Sequence, residues 1–144
     1  MTQIDFYTHV DDKLRTACRL AAKAFSRELC VMVFCPDADT AGRVDRLLWT
    51  TPATSFIPHC LARDPLAAVT PVVIDHDGAE PLHDQILLNL RSERPPFFSR
   101  FQRLIEIVSL DEDDRGLARE RFKFYRDRGY EIRAHDLSKS NVEC

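Results

Sequence analysis

The run Cys30-Val31-Met32-Val33-Phe34-Cys35 constrains the fold of this chain more than any other feature. It is apolar from end to end, bounded by charge and by Pro36. A strand with one wet face would alternate apolar and polar residues. An unbroken run is what a parallel strand covered on both faces requires.

Such a strand needs helices on each side of its sheet, and the flanking sequence supplies them. Upstream, Asp11 or Asp12 can cap a helix in which Leu14, Ala17, Cys18, Ala21 and Phe25 recur at helical spacing. Downstream, Asp37 can cap a second helix with Ala41, Val44, Leu47 and Leu48 as its buried stripe. Further strands are expected at residues 4–7, 71–74, 86–90, 104–108 and 130–133. Asp75-His76-Asp77-Gly78 carries the Asp-Gly signal of a tight turn. Pro95-Pro96 suits the start of a short helical piece through Phe101, and Gly129 is placed to end a long helix over 111–128. Strands and helices alternate throughout. The expectation is an α/β fold, a three-layer α-β-α sandwich with a mainly parallel sheet, as one domain over residues 1–137 with a flexible tail at 138–144.

The bulk properties narrow the function classes. The 144 residues are 44% hydrophobic and 30% charged, enough apolar material for a core without disulfides or a metal. No apolar stretch approaches the roughly 18 residues of a membrane span, and Met1-Thr2-Gln3-Ile4-Asp5 has no secretory character, so a cytoplasmic protein is expected. A formal net charge of −3 excludes a protein that coats DNA non-specifically. The five Cys match no zinc spacing, and Cys18, Cys30 and Cys35 fall on apolar stretches as small buried hydrophobes.

The tests for catalysis and cofactors are negative. Gly42, Gly78, Gly116 and Gly129 are the only glycines, and none follows the first or second strand, where a phosphate loop needs one. Asp75, His76 and Asp77 read as a solvated hairpin turn rather than a metal site. His59 and Cys60 are adjacent, whereas catalytic Cys–His pairs meet through the fold. Ser55 has no Gly-x-Ser-x-Gly frame. No cofactor and no metal are expected. Dispersed catalytic residues leave no motif, however, so a small α/β enzyme with Cys35 or Cys60 as nucleophile stands as a rival reading.

Two segments point to partners. The first runs from Leu47 to His59 and holds the only Trp, Trp49, with Pro52, Phe56 and Pro58, and no Gly. Stiff aromatic loops are what protein partners dock on, and they also fold back onto their own cores. The second is the helix at 111–128. It opens on Asp111-Glu112-Asp113-Asp114, where the macrodipole is positive, and then turns basic. At about 100° per residue, Leu117, Ala118, Phe124 and Tyr125 form a core stripe, while Arg115, Arg119, Phe122 and Arg126 share a sector of about 60° facing outward. One reading is a solvated face with a stray ring. The other is a pocket for an acidic peptide ending in an aromatic residue and a free carboxylate. Single-stranded nucleic acid, stacking on Phe122 and pairing with the arginines, is a further option.

The chain resembles the chi subunit family of bacterial DNA polymerase III holoenzyme. The likeness lies in Asp5-Phe6-Tyr7, in Leu48-Trp49 followed by Pro52 and Ser55-Phe56-Ile57-Pro58-His59, in Pro71-Val72-Val73-Ile74, and in Ala118-Arg119-Glu120-Arg121-Phe122-Lys123 with Tyr125-Arg126. The resemblance implies a Rossmann-like fold without catalysis, in an accessory protein of the clamp-loader assembly. It implies a monomer or a heterodimer with the psi subunit. One surface would bind psi, or a helicase in its place, and another the C-terminal tail of the single-stranded-DNA-binding protein, which is acidic and ends in Pro-Phe. DNA would be met only indirectly. Carried over by position, the tail site is Val108, Arg115, Arg119 and Phe122, to which the helix wheel adds Arg126. The psi or helicase surface is Trp49, Pro52 and Phe56. Arg115 and Phe122 stand where a Lys and a Tyr occur in the family, and both exchanges keep charge and ring.

Overall fold

The computed structural model describes residues 1–51, 56–77 and 81–139. The elements follow in order: β1 (Gln3–Val10), α1 (Lys13–Ser26), β2 (Val31–Phe34), α2 (Ala38–Thr50), β3 (His59–Leu61), β4 (Val72–Asp75), β5 (Ile86–Asn89), β6 (Arg103–Ser109), α3 (Glu112–Asp127) and β7 (Ile132–Asp136). The strands form one sheet in the order β3-β4-β2-β5-β6-β1-β7, and every pairing is parallel. All four residues of β2 are buried, as its unbroken apolar run requires.

Alternation along the strands sorts the side chains onto two faces. On one face Tyr7, Val33, Ile74, Leu88 and Ile105 pack with α1 and α2. On the other, Phe6, Phe34, Leu87, Leu104 and Val108 pack with α3 and the aromatic segment 97–101. This is the three-layer architecture. Asp12, Asp37 and Asp111 cap the three helices, each side chain accepting from the backbone N–H three residues on. No helix among the described residues is long and apolar enough to cross a membrane.

Several local expectations need correction. The Asp-Gly signal after β4 does not mark a hairpin, because β4 and β5 lie parallel on opposite sides of β2. The short strand β3 went unread inside the proline-rich segment, since three residues carry no periodicity. The last strand begins later than expected, because Tyr130 belongs to the helix end. Gly129 takes a positive φ of 85°, its N–H bonds Arg126 O, and the Tyr130 N–H reaches back to Tyr125 O. That is a Schellman motif, and it spends Tyr130 on packing against Phe98 and Tyr125. Of the segment expected as a flexible tail, Ser138 and Lys139 belong to a last 3-10 turn and residues 140–144 lie outside those described.

Leu117 was expected in the core and is 42% exposed; Arg121 takes its place, buried. The cause is a charge on the sheet. Glu106, on β6, is fully buried. Its Oε1 accepts from Arg121 Nε at 3.1 Å and Asn89 Nδ2 at 3.0 Å, and its Oε2 accepts from the Tyr125 hydroxyl at 2.7 Å. Arg121 also donates to Ser92 O at 2.6 Å. Burial pushes the Glu106 carboxyl up, against the pull of Arg121, Tyr125 and Asn89. Facing Glu106 with both Arg121 and Tyr125 turns α3 about its axis and swings Leu117 out to solvent.

Removing one partner of a buried pair costs far more than replacing both with apolar groups. Arg121→Leu is expected to lose about 3–5 kcal/mol in urea unfolding. Adding Glu106→Leu should restore part of that loss, and a double variant no more stable than Arg121→Leu would refute the role given to the pair.

Candidate functional site

The same rotation of α3 shapes a cavity of about 500 Å³ between the helix and the sheet edge formed by β6, β1 and β7. Its apolar surface comes from Phe6, Val108, Ala118 and Phe122. Phe122 is half-buried rather than outward-facing, with its ring edge-on to Phe6 at a centroid distance of 5.4 Å. Arg115, Arg119, Lys123 and Arg126 contribute four cations to the lining, and Thr8, His9 and Ala134 complete it from the strand side. The residues singled out on the helix wheel, with Val108, thus line one concavity. Lys123 was missed. It follows Arg119 by four residues, so helical spacing alone puts it about 40° from that side chain.

The helix is fixed at its start as well. Asp114 accepts from the Ser109 N–H at 2.8 Å and lies 3.3 Å from Lys13 Nζ. Burial pushes the Asp114 carboxyl up, but these two partners outweigh it and hold it below the usual range. Arg115, the next residue, is therefore carried on an anchored turn.

The arginines of the cavity are only loosely held. Arg115 and Arg119 share one exposed carboxylate, Glu112, at 3.6 and 3.3 Å, and Arg126 meets its neighbour Asp127 at 3.4 Å. Solvent-exposed pairs of this kind contribute about 0–1 kcal/mol. A ligand carboxylate can displace Glu112 at little cost. The cavity therefore offers a place for an apolar or aromatic group beneath a rim of guanidinium groups.

The second predicted surface lies beyond the opposite side of the sheet. Trp49, at the end of α2, is 58% exposed and its ring packs 4.5 Å from that of His59; Phe56 is 94% exposed. Pro52 lies outside the described residues. Leu61, Leu66 and Val69 add exposed apolar side chains from the same stretch of chain.

The other candidates resolve into structure. Asp75, His76 and Asp77 do come within 4.8 Å of one another, but at the end of a parallel strand rather than in a hairpin turn. His76 Nε2 and Asp77 Oδ1 are already paired at 2.8 Å, and Asp75 Oδ1 accepts from the His76 and Asp77 N–H groups. Cys18 and Cys35 are buried, and burial pushes their thiols up to about 11 and about 12. Cys60 is also raised, by its own partial burial. The adjacent His59 ring is bound to Ile57 O at 2.7 Å and packs tilted against Trp49. Neither Cys35 nor Cys60 has the electropositive setting of a nucleophilic thiol. At neutral pH, Cys18 and Cys35 are expected to react with iodoacetamide at least ~100-fold more slowly than a free peptide thiol. Rapid labelling of Cys35, read by mass spectrometry, would revive the enzyme reading.

Comparison with known proteins bears on the whole chain. Residues 1–133 match the family described as "DNA polymerase III chi subunit, HolC". The chain is 35% identical to the DNA polymerase III subunit chi of Pseudomonas aeruginosa over 143 residues, covering 96% of this chain and 99% of that protein. It is 33% identical to the protein of the same name from Escherichia coli, over 80% of this chain and 79% of that one. For the Haemophilus influenzae protein the identity is 32%, over 88% and 85%. With the parallel α/β fold and these matches together, the chain belongs to the DNA polymerase III chi subunit family.

Proposed function

We propose that this chain is an accessory, non-catalytic subunit of DNA polymerase III in DNA replication, which links the clamp loader to the C-terminal tail of single-stranded-DNA-binding protein. The observation that carries the reading is the α3 cavity, with four cations around an apolar surface in a protein of net charge −3. An acidic peptide ending in Pro-Phe matches both halves of that surface. The terminal ring enters against Val108 and Phe122, and the carboxylates exchange for Glu112 at Arg115 and Arg119. Contact through a peptide needs no DNA binding by the subunit itself. The setting on this reading is the cytoplasm.

The Trp49 and Phe56 surface, with Pro52, is assigned to a second partner, the psi subunit or a helicase. β3 and β1 stand five strand spacings apart in the sheet, about 24 Å at about 4.8 Å each. The two partners therefore have room to bind together. Direct binding of single-stranded DNA is the alternative for the basic rim, and a gel shift with purified protein alone would reveal it.

Titration calorimetry with a synthetic tail peptide tests the main reading. A micromolar Kd is expected, weakening as salt screens the Arg–carboxylate pairs. Arg119→Ala should remove at least ~10-fold in affinity, about 1.4 kcal/mol, and leave the fold intact because its side chain faces solvent. Unchanged affinity would end the assignment. Trp49→Ala should leave tail binding unaltered while abolishing capture of the second partner. Loss of both activities in a variant with a native melting temperature would show that the surfaces are not separate.

A further inference from the structure

The strand wall of the cavity contains an irregularity that the tail reading does not use. β1 runs in register with β6 from Gln3 opposite Arg103 to Tyr7 opposite Ile107. Val10 then stands opposite Ser109, so three steps on β1 match two on β6. The extra residue makes a bulge, a device that re-aims a side chain. His9 lies within it, with a φ of 58°. That left-handed conformation costs free energy for any residue except glycine, and least among the others for Asn and Asp. Backbone strain of this sort gathers at functional sites.

The bulge makes His9 part of the cavity lining. Its Nδ1 lies 3.0 Å from Asp136 Oδ1 and 3.2 Å from Thr8 Oγ1. Asp136 is in turn fixed by the Ser138 N–H at 2.9 Å and hydroxyl at 2.6 Å. An Nδ1–H directed at this carboxylate leaves Nε2 for a ligand, and Nε2 has no partner among the described residues. In the neutral ring with its proton on Nδ1, Nε2 is an acceptor. It donates to an anion only when the ring carries a second proton.

We propose that His9 is a fifth anion-binding group of the cavity, and that it takes up a proton as the acidic chain terminus of a partner enters. The proposal rests on the peptide-tail reading of this cavity. The charges on the surrounding elements explain the coupling. From α3, Arg115, Arg119, Lys123 and Arg126 oppose a positive ring. Beyond the end of β1 follow Asp11 and Asp12, and Asp12 is committed to capping α1 and to Arg15 at 3.4 Å. Asp136 on β7 favours it by contact. Glu112 is committed to Arg115 and Arg119, and Asp114 to Lys13 and the Ser109 N–H. An entering pair of carboxylates offsets the four cations, and the balance around His9 then turns toward protonation. Binding and proton uptake are linked, so affinity rises as pH falls. The limit for one proton is about tenfold per pH unit.

The test uses the intact chain and a synthetic acidic peptide ending in Pro-Phe with a free carboxylate, titrated at constant ionic strength between pH 8 and pH 6. Wild type should bind about 3–10-fold more tightly at pH 6 than at pH 8. Its binding heats in buffers of different ionisation enthalpy should report net proton uptake near neutrality. His9→Asn and His9→Gly both suit a positive φ, so each should melt at or above the wild-type temperature. Both should bind no more tightly than wild type at pH 8 and lose the rise toward pH 6. A flat wild-type profile, or the same rise in the His9 variants, overturns the proposal. If the peptide binds, and Arg119→Ala weakens it, while His9→Asn keeps the wild-type profile, only the role of His9 falls. If wild type does not bind the peptide at any pH, the reading of the cavity falls with it.

Discussion

The contact between Glu106 and the Arg121–Tyr125 face of α3 determines where everything else on this side of the sheet can lie. A carboxylate at the centre of a parallel strand is expensive to bury, and it is tolerated only with donors on both oxygens. Asn89 supplies one from the next strand, and Arg121 and Tyr125 supply two from the helix. Leu packing alone would let α3 slide or turn by a fraction of a helical step, since apolar contacts are non-directional. The two hydrogen bonds from Arg121 and Tyr125 do not. The rotational setting of α3 is therefore specified by polar geometry, and the cavity lined by Arg115, Arg119, Phe122, Lys123 and Arg126 is a consequence of that setting.

This arrangement accounts for a protein that is acidic overall and basic in one place. The net charge of −3 disfavours non-specific attraction to polyanions, which would compete with any specific partner. Within the cavity, cations on one helix repel one another, and among the described residues the three arginines are paired with a shared exposed Glu and a neighbouring Asp. Such a rim selects for a compact negative group attached to something apolar. A long polyphosphate chain would find four cations on a protein whose net charge is −3. On the proposed reading the discrimination between a peptide tail and a nucleic acid is made by the extent of the positive patch rather than by its chemistry.

The layers of the fold were legible because burial on two faces leaves an unbroken apolar run, and Cys30 to Cys35 is one. The capping residues Asp12 and Asp37 and the helix-ending Gly129 were legible for similarly local reasons. β3 was not, since it is three residues long and owes its existence to β4 rather than to its own pattern. The helix wheel put Arg115, Arg119, Phe122 and Arg126 on one face, and all four line the cavity, yet it misplaced Leu117 and gave Arg121 no place. Wheels weigh apolar content, and the deciding partner, Glu106, lies fifteen residues away in a strand that reads as apolar. His9 could not be found from sequence at all. Its place in the cavity depends on a bulge in β1 that only the pairing with β6 creates.

The distribution of surfaces across the sheet follows from topology. β1 is inserted between β6 and β7, so the first strand of the chain meets the last two, and α3 lies over that junction. β3 ends the sheet on the other side, next to the end of α2 that carries Trp49. Chain order thus puts the early aromatic segment and the late basic helix at opposite flanks of one rigid layer. A subunit whose task is to hold two partners at once needs separation without flexibility. Separate loops on a mobile linker would let one partner move relative to the other, and a continuous seven-stranded sheet does not. If a tether is the function, the sheet is its rigid element, and the buried carboxylate that orients α3 sets the direction from which the tail must approach.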